Sequence, residues 1–153
     1  MQEESKNVLL TVFTPTYNRK ELLKRVYASL CNQSSQNFCW LIVDDGSTDN
    51  TEELVREWRN KKELDIRYVY RENGGKMRAH NTGVQHTTTE LFVCLDSDDY
   101  LSKDAVLQIE ECWSDMQLHE KDAQKVAGIV AHKGSSEREL LSKTEFQKVE
   151  CST

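Results

Sequence analysis

The sequence predicts an α/β fold in which a mostly parallel sheet is flanked by helices. Short apolar runs alternate along the chain with longer segments whose apolar residues recur at helical spacing. The apolar runs are nearly continuous, which is typical of strands buried on both faces of a parallel sheet. Strands that alternate with helices are joined by crossover connections, and these are almost always right-handed.

The individual elements follow from these patterns. Asn18 and Glu21 have the spacing of a capping box at the start of the first helix. From Gly134 onward the chain is polar and weakly patterned, which predicts a loop or a frayed tail. We therefore expect one domain over residues 1–133, with 134–153 as a polar tail or the start of a further region. The predicted strands are Val8–Phe13, Phe38–Val43, Ile66–Tyr70, Leu91–Leu95 and Val126–Val130, and a helix is expected over Met77–His86.

Composition narrows the class of protein. The chain has 153 residues, with 20 Lys and Arg against 26 Asp and Glu, so its formal net charge is −6. An acidic chain argues against nonspecific nucleic-acid binding, which needs a basic surface. No apolar run approaches the roughly 20 residues that cross a bilayer, so no membrane span is expected. The five cysteines include no C-x-x-C pair, and Cys39 and Cys94 are predicted to be small buried residues in strands.

Four polar loops each follow a predicted strand. Ligands of parallel α/β sheets bind beyond the carboxyl ends of the strands, where such loops meet along one edge. Residues far apart in the sequence can therefore line a single cleft. The four loops are Thr14–Asn18, Asp44–Asp49, Asn73–Lys76 and Asp96–Asp99.

The sequence Asp96-Ser97-Asp98-Asp99 is the sharpest chemical signal. If the segment is extended, the carboxylates of Asp96 and Asp98 point the same way. Mg²⁺ and Mn²⁺ prefer such oxygen ligands and often join carboxylates to substrate phosphates. A metal would also let an acidic protein hold an anionic diphosphate. The alternative is a solvated turn that caps the next helix, with Asp99 on the helix side.

The other three loops allow binding but do not require it. Asp45 could accept a hydrogen bond from a nucleobase or a ribose, although Asp, Gly and Ser also form ordinary turns. The loop with Tyr17 could offer an aromatic face and a hydroxyl. Lys76 and Arg78 flank a predicted helix N-terminus, a position that suits anions, or they are simply solvated. No P-loop or G-x-G-x-x-G pattern is present in the sequence.

Taken in order, these motifs resemble those of family 2 glycosyltransferases, which have the Rossmann-like GT-A fold of nucleotide-diphospho-sugar transferases. The resemblance covers about residues 8–133. The motifs are Val12-Phe13-Thr14-Pro15-Thr16-Tyr17-Asn18-Arg19, Val43-Asp44-Asp45-Gly46-Ser47-Thr48-Asp49, Glu72-Asn73-Gly74-Gly75 with Asn81-Thr82-Gly83, and Leu95-Asp96-Ser97-Asp98-Asp99.

The resemblance implies an enzyme that transfers a sugar, with inversion, from a nucleotide-diphosphate sugar to an acceptor hydroxyl on a saccharide or lipid-linked acceptor. It implies a divalent cation, Mn²⁺ or Mg²⁺, held by Asp98 and Asp96 in a DXD motif. Polysaccharide synthesis for the cell envelope or capsule, in the cytoplasm or at the periphery of the inner membrane, is the expected setting. The implied nucleotide-binding residues are Pro15, Thr16, Tyr17, Asp45, Lys76, Arg78 and Asp96.

Two departures leave alternatives open. Many family members have Arg where this chain has His80, so Lys76 or Arg78 would have to supply the cation. The family's catalytic base usually lies on a later acidic motif, and nothing marks a glutamate after Gly134 as that base. We therefore expect a fragment, and the alternative function is a nucleotide-sugar-binding module without turnover. A phosphorelay receiver using Asp96 and Lys133 is a further hypothesis, although it leaves the Thr14–Asn18 loop without a role.

Overall fold

The computed structural model describes residues 8–119, 134–136 and 139–140. The chain divides into two compact units, the first ending at Val106 and the second beginning at Leu107. The expected domain boundary at residue 133 remains a prediction, and the predicted strand Val126–Val130 lies outside the described residues.

The first unit is built on a four-stranded sheet, whose strands are parallel as predicted. Its strand order is β3-β2-β1-β4, with every neighbouring pair parallel. The chain therefore runs outward from β1 through β2 to β3 and then returns to the other side of β1. The elements are β1 (Leu10–Thr16), α1 (Lys20–Cys31), β2 (Phe38–Asp44), α2 (Thr51–Lys61), β3 (Ile66–Tyr70), α3 (Lys76–Gln85), β4 (Leu91–Cys94) and α4 (Ala105–His119).

The two central strands form the core of the sheet. Every residue of β1 and β2 is buried, whereas β3 and β4 are mostly half-buried. This agrees with the continuous apolar runs, because a central parallel strand has no solvent face. Cys39 in β2 is buried as predicted, but the same prediction is wrong for Cys94, which is exposed at the end of β4. Strand β4 lies at the edge of the described sheet, where fewer groups cover its side chains.

Strand β1 is longer than predicted and includes Pro15. Residues Thr14–Thr16, expected to form a loop, pair with Ile42–Asp44 of β2. The carbonyl of Phe13 accepts from Leu95 on the β4 side. Pro15 lies two residues further, so its nitrogen faces the same side, where the pairing of β1 with β4 ends at Phe13–Cys94. The missing N–H of proline therefore costs no ladder hydrogen bond, which explains why the strand continues.

The second unit contains most of α4 and a small antiparallel pair. Gly134–Ser136 (β5) pairs with Glu139–Leu140 (β6), with a register irregularity. The prediction of a loop or frayed tail is therefore wrong for these residues. Backbone pairing over two or three residues needs none of the apolar alternation that marks longer strands. Over the described residues, no helix is long and apolar enough to cross a membrane.

Candidate functional site

The carboxyl ends of the strands meet at one edge of the sheet, as predicted. Thr16 is in register with Asp44, and Asp44 is in register with Tyr70. Contacts between the loops that follow then join this edge together. The loop after β1 contacts the loops after β2 and β4, and the loop after β3 contacts those after β2 and β4.

The loops after β1 and β2 are tied by three side chains. The backbone N–H of Asn18 donates to Ser47 Oγ at 2.9 Å, and Asn18 Oδ1 accepts from the N–H of Thr48 at 2.7 Å. Asp49 Oδ2 accepts from the N–H of Lys20, the first residue of α1, at 2.9 Å. The capping box predicted for Asn18 is therefore wrong. Asn18 has a left-handed φ of 50°, which turns its side chain to the neighbouring loop, and a carboxylate from that loop caps the helix instead.

Asp49 is held in its ionised form. Burial alone would raise its pKa, but hydrogen bonds from the Thr51 hydroxyl and the backbone of Lys20 and Thr51 outweigh burial. The pKa of Asp49 is therefore below its usual value. A charged Asp49 also lies at the N-terminal ends of α1 and α2, where the positive end of each helix dipole favours an anion.

Asp45, predicted to bind the nucleoside, is buried and organises the loop after β3. Its carboxylate accepts from the N–H of Gly75 at 2.7 Å and from that of Gly74 at 3.1 Å. Arg71 Nε lies 3.1 Å from Asp45 Oδ1, and an Arg71 Nη donates to Thr82 of α3 at 3.2 Å. Asp45 is 4% exposed. Its carboxylate thus fixes the turn from which Lys76 and α3 begin.

Asp44 is also a structural residue. Asp44 Oδ1 accepts from the N–H of Ser47 at 2.8 Å, and Asp44 Oδ2 accepts from the Tyr68 hydroxyl at 2.6 Å. Burial of Tyr68, followed by this hydrogen bond and the charge of Asp44, raises the pKa of Tyr68 above its ordinary value. Tyr68 therefore stays a neutral donor, and the turn after β2 is fixed from both sides.

At the end of β1, the three residues predicted to hold the nucleoside differ in exposure. Pro15 and Thr16 are buried, whereas Tyr17 is 49% exposed and could offer its ring to a ligand. Thr16 Oγ1 is buried and has no hydrogen-bond partner among the described residues. A buried hydroxyl without a partner is rare, since it gives up its hydrogen bonds to water. It marks a place where a ligand could supply the missing partner.

Helix α3 brings the predicted cations to the edge of the site. It begins at Lys76, directly after Gly75, whose φ of 89° is a conformation that glycine adopts without strain. The side chains of Lys76 and Arg78 are exposed in the first turn. His80 points elsewhere: its ring packs edge-on against Phe13 at 5.5 Å and Phe92 at 5.8 Å. His80 therefore does not take the place of an arginine in the cleft.

Three carboxylates converge after β4. One carboxylate oxygen from each of Asp96, Asp98 and Asp99 lies within 4.8 Å of the others. The segment is a turn, in which Asp99 N–H donates to the Asp96 carbonyl at 3.0 Å, and not the extended segment expected. The turn brings in Asp99, which the sequence assigned to the helix side. We call these three residues the acidic cluster.

The acidic cluster fits a hard divalent cation. Ligand oxygens around an octahedral Mg²⁺ are about 3.0 Å apart when adjacent and about 4.2 Å apart when opposite, so oxygens that lie within 4.8 Å would close by about 1–2 Å around the ion. Carboxylate oxygens are also the ligand type that Mg²⁺ and Mn²⁺ prefer. Two cations neutralise part of the cluster: Lys76 Nζ lies 2.8 Å from Asp96 Oδ2, and Arg19 Nη1 lies 3.3 Å from Asp98 Oδ2.

Arg19, Asp49, Arg71 and Asp99 were not assigned to the site from the sequence. Arg19 and Asp49 stand inside two of the recognised motifs, but their roles depend on contacts between loops 29 or more positions apart. Arg71 directly follows β3, so its position at a strand end was a usable signal. The role of Asp99 depends on the turn geometry, which the i and i+2 spacing did not indicate.

This combination of a parallel α/β sheet with an acidic cluster at its carboxyl edge agrees with the class of protein that the motifs suggest. The family model described as glycosyl transferase family 2 matches residues 11–145. The chain therefore belongs to glycosyltransferase family 2, and its fold is the GT-A fold.

Curated relatives are named glycosyltransferases of bacterial origin. The poly(ribitol-phosphate) β-N-acetylglucosaminyltransferase TarS of Staphylococcus aureus is 33% identical over 114 residues, covering 71% of this chain and 20% of that protein. Glycosyltransferase GlyA of Streptococcus pneumoniae is 34% identical over 99 residues, covering 63% of this chain and 14% of that protein. The chain thus spans about a fifth or less of the length of these relatives.

Solved structures show the same fold. S. aureus TarS 1–349 in complex with UDP-GlcNAc matches with a TM-score of 0.63 and 29% identity, over 71% of this chain and 31% of that chain. The mannosyltransferase PcManGT from Pyrobaculum calidifontis, in complex with GDP-Man and Mn²⁺, matches with a TM-score of 0.56 and 32% identity. The match covers 61% of this chain and 28% of that chain. Both structures carry a nucleotide sugar.

Proposed function

We propose that this chain binds a nucleotide-diphosphate sugar, with a divalent cation, as the donor-binding part of an inverting glycosyltransferase. The observation that carries the proposal is the convergence of Asp96, Asp98 and Asp99 within 4.8 Å at the carboxyl edge of the sheet. Ligands of open α/β sheets bind at that edge. A protein with a net charge of −6 can attract a diphosphate there only if positive charge is concentrated at the site.

The nucleoside would lie over the ends of β1 and β2. The exposed ring of Tyr17 would stack on the base, and the unpartnered Thr16 hydroxyl would gain a hydrogen bond. Asp45 would act partly through the loop that it holds, because its carboxylate already accepts from Gly74 and Gly75. Pro15 would shape the floor of the site from the end of β1.

The diphosphate would lie between the acidic cluster and the start of α3. Lys76 and Arg78 stand in the first turn of α3, where backbone N–H groups and the helix dipole also favour an anion. A divalent cation held by Asp98 and Asp96, with Asp99 beside them, would neutralise charge on the leaving diphosphate. The protein's own part is to fix these ligands and cations in one place before the donor arrives.

The acceptor and the setting are proposals for this chain. The name of TarS refers to transfer of N-acetylglucosamine to poly(ribitol phosphate). From this name we infer a saccharide or polyol-phosphate polymer of the bacterial envelope as acceptor. The proposed location, the cytoplasm or the periphery of the inner membrane, is the one that the family resemblance implies. UDP-N-acetylglucosamine is the first donor to test, because the TarS structure contains it.

A thermal-shift panel tests the donor site. UDP, GDP, CMP and dTDP are each added with and without Mn²⁺, and the melting temperature is followed. A ligand at 100 times its dissociation constant stabilises the folded state by about 2.7 kcal/mol, which this method detects easily. We expect one nucleoside diphosphate to raise the melting temperature, and to do so more strongly with Mn²⁺. No shift with any nucleotide at millimolar concentration would refute the proposal.

A transfer assay separates the enzyme from the binding module. The same purified chain is incubated with UDP-N-acetylglucosamine, Mn²⁺ and a ribitol-phosphate oligomer, and the release of UDP is measured. The Asp98→Asn variant is the control for background hydrolysis. UDP released only with the acceptor present would support a complete enzyme. Binding without release would support the alternative function, a nucleotide-sugar-binding module.

A further inference from the structure

Two positively charged side chains occupy the acidic cluster from different loops. Lys76 Nζ lies 2.8 Å from Asp96 Oδ2, and Arg19 Nη1 lies 3.3 Å from Asp98 Oδ2 and 3.4 Å from Ser97 Oγ. Lys76 follows β3 and Arg19 follows β1, so the two cations approach the cluster from separate strand ends. The three carboxylates and their two cations together therefore carry a net charge near −1, whereas the three carboxylates alone would carry −3.

We propose that Lys76 and Arg19 are exchangeable counter-ions of the acidic cluster, which yield their carboxylates to a divalent cation and then bind the donor diphosphate. The inference deepens the proposed function and rests on it. It assigns to Arg19 a role that its place in the motif does not reveal. It also means that binding of the metal releases the side chains of Lys76 and Arg19, which can then bind the diphosphate of the donor.

The geometry makes the cations competitors of the metal. Lys76 and Arg19 each donate to a carboxylate oxygen of a residue that is assigned to the metal. A divalent ion bound at these carboxylates would repel both positively charged side chains. Neither side chain is locked, since 66% of the Lys76 side chain and 47% of the Arg19 side chain are exposed. Exposed ion pairs of this kind hold their partners only weakly, so a divalent cation can displace them.

Both cations lie at the N-terminal end of a helix, where they can also bind a phosphate. Lys76 is the first residue of α3 and Arg19 is the N-cap residue of α1. The N-terminal end of a helix attracts anions, and Lys and Arg side chains there add charge-assisted hydrogen bonds to phosphate oxygens. A side chain released by a carboxylate is therefore already anchored beside the expected position of a diphosphate. Binding of the metal and of the diphosphate then support each other, as thermodynamic linkage requires.

The inference predicts opposite effects of one substitution on two ligands. Lys76→Met removes the charge and keeps the length of the side chain. Without nucleotide, we expect it to bind Mn²⁺ about 1.5-fold to fivefold more tightly than the wild type, the strength of an exposed ion pair. With saturating Mn²⁺, we expect it to bind UDP about tenfold more weakly, because a charge-assisted hydrogen bond is lost. A residue with a purely structural role would weaken both ligands or neither.

The test measures both affinities directly and needs no turnover. Mn²⁺ binding is followed by electron paramagnetic resonance of the free ion up to millimolar concentration, and UDP binding by titration calorimetry. Lys24→Met is the matched control, because Lys24 also pairs with an exposed carboxylate, that of Glu21 at 2.7 Å, which is not one of the three carboxylates of the acidic cluster. Arg19→Gln is compared in the same way with Arg56→Gln, whose partner is Glu53. The Asp98→Asn variant measures how much Mn²⁺ binds elsewhere on the chain.

The outcomes distinguish this inference from the proposed function. Tighter Mn²⁺ and weaker UDP in Lys76→Met, with Lys24→Met equal to the wild type, support it. Unchanged or weaker Mn²⁺ binding in Lys76→Met overturns it while leaving the proposed function intact, provided that the wild type binds UDP with Mn²⁺. A wild type that binds UDP equally well in EDTA overturns both the metal site and the exchange.

Discussion

The carboxylate of Asp45 accepts the backbone N–H of Gly75 at 2.7 Å, so the aspartate after β2 holds the turn that starts α3. The same carboxylate faces Arg71 Nε at 3.1 Å. A residue proposed to contact the nucleoside is therefore also a structural support for the cations proposed to contact the diphosphate. Substitution at this position should disturb both halves of the site.

For Asp45→Ala we expect nucleotide binding to weaken by about 1.5–3 kcal/mol, the range for a hydrogen bond to a charged group. We also expect a lower free energy of unfolding, because the N–H groups of Gly74 and Gly75 lose their acceptor. Calorimetry gives the affinity and urea denaturation the stability. In the comparison variant Arg71→Gln, the carboxylate keeps its backbone donors, so nucleotide affinity should fall less. Unchanged affinity in a folded Asp45→Ala chain would contradict the role.

The sheet could be predicted from the sequence because its strands are short runs of largely apolar residues. Ile66–Tyr70 is predicted and observed with the same bounds, and β2 ends only one residue later than expected. The least accurate boundary is the end of β1, where proline indicates a loop. Pro15 is tolerated in β1 because the pairing of β1 with β4 stops at Phe13. The sequence does not show where a neighbouring strand ends.

The site could be predicted as a set of loops but not as a network. Strand-end position was enough to place Asp45 and Asp96 at one edge. It could not show that Asp49 caps a helix in another loop or that Asp99 turns back toward Asp96. Such contacts depend on the distances between loops, which are set by the packing of the whole unit. The ion pairs of Lys76 and Arg19 with the acidic cluster could not be predicted for the same reason.

The cap from Asp49 to Lys20 should make stability depend on pH. The pKa of Asp49 is lowered in the folded chain, so its contribution is present above the unfolded pKa of about 3.9 and is lost as pH falls through the folded value. Asp49→Asn should lower the free energy of unfolding by about 0.3–1 kcal/mol at pH 7, because the amide keeps an acceptor oxygen but loses the charge that the helix dipoles favour. The difference between the two proteins should vanish in acid.

Urea denaturation at several pH values between 7 and 3 measures that difference. Asp65→Asn is the control, because Asp65 is an exposed aspartate. A difference between wild type and Asp49→Asn that stays constant down to pH 3 would show that the charge of Asp49 does not matter and that only its shape does.

Gly83 allows α3 to lie directly on β1. A Cβ at this position would lie 2.4 Å from Phe13 Cε2, far inside contact distance. We expect Gly83→Ala to lower the free energy of unfolding by about 1–3 kcal/mol through overpacking, although alanine is the better helix former. Val84→Ala, at an exposed position of the same helix, should change stability little. The double variant Gly83→Ala with Phe13→Leu should recover part of the lost stability. If denaturation shows no such recovery, the contact with Phe13 is not the cause of the loss.

The metal proposal predicts a loss of binding without a loss of stability. Asp98→Asn keeps the size of the side chain and removes its charge, so it tests electrostatics and not packing. Asp98 is exposed, and its described partner is Arg19 at 3.3 Å, an ion pair that contributes little to folding. We therefore expect the melting temperature to stay nearly unchanged. The Mn²⁺-dependent part of UDP or GDP binding should disappear, because phosphate and carboxylate oxygens share the coordination sphere of the ion.

Asp99→Asn extends this test to the residue that the turn brings into the cluster. If Asp99 is a direct ligand, it should weaken Mn²⁺-dependent binding about as much as Asp98→Asn, and if it lies outside the coordination sphere the effect should be clearly smaller. Glu21→Gln controls for the change in net charge, because Glu21 is exposed and its described partner is Lys24. Calorimetry with and without EDTA measures the metal-dependent part of each affinity. Equal affinity of the wild type in excess EDTA would return the three aspartates to the role of a solvated turn before α4. Lys76, Arg78 and Arg19 would then be the described cations that offset their repulsion of a diphosphate.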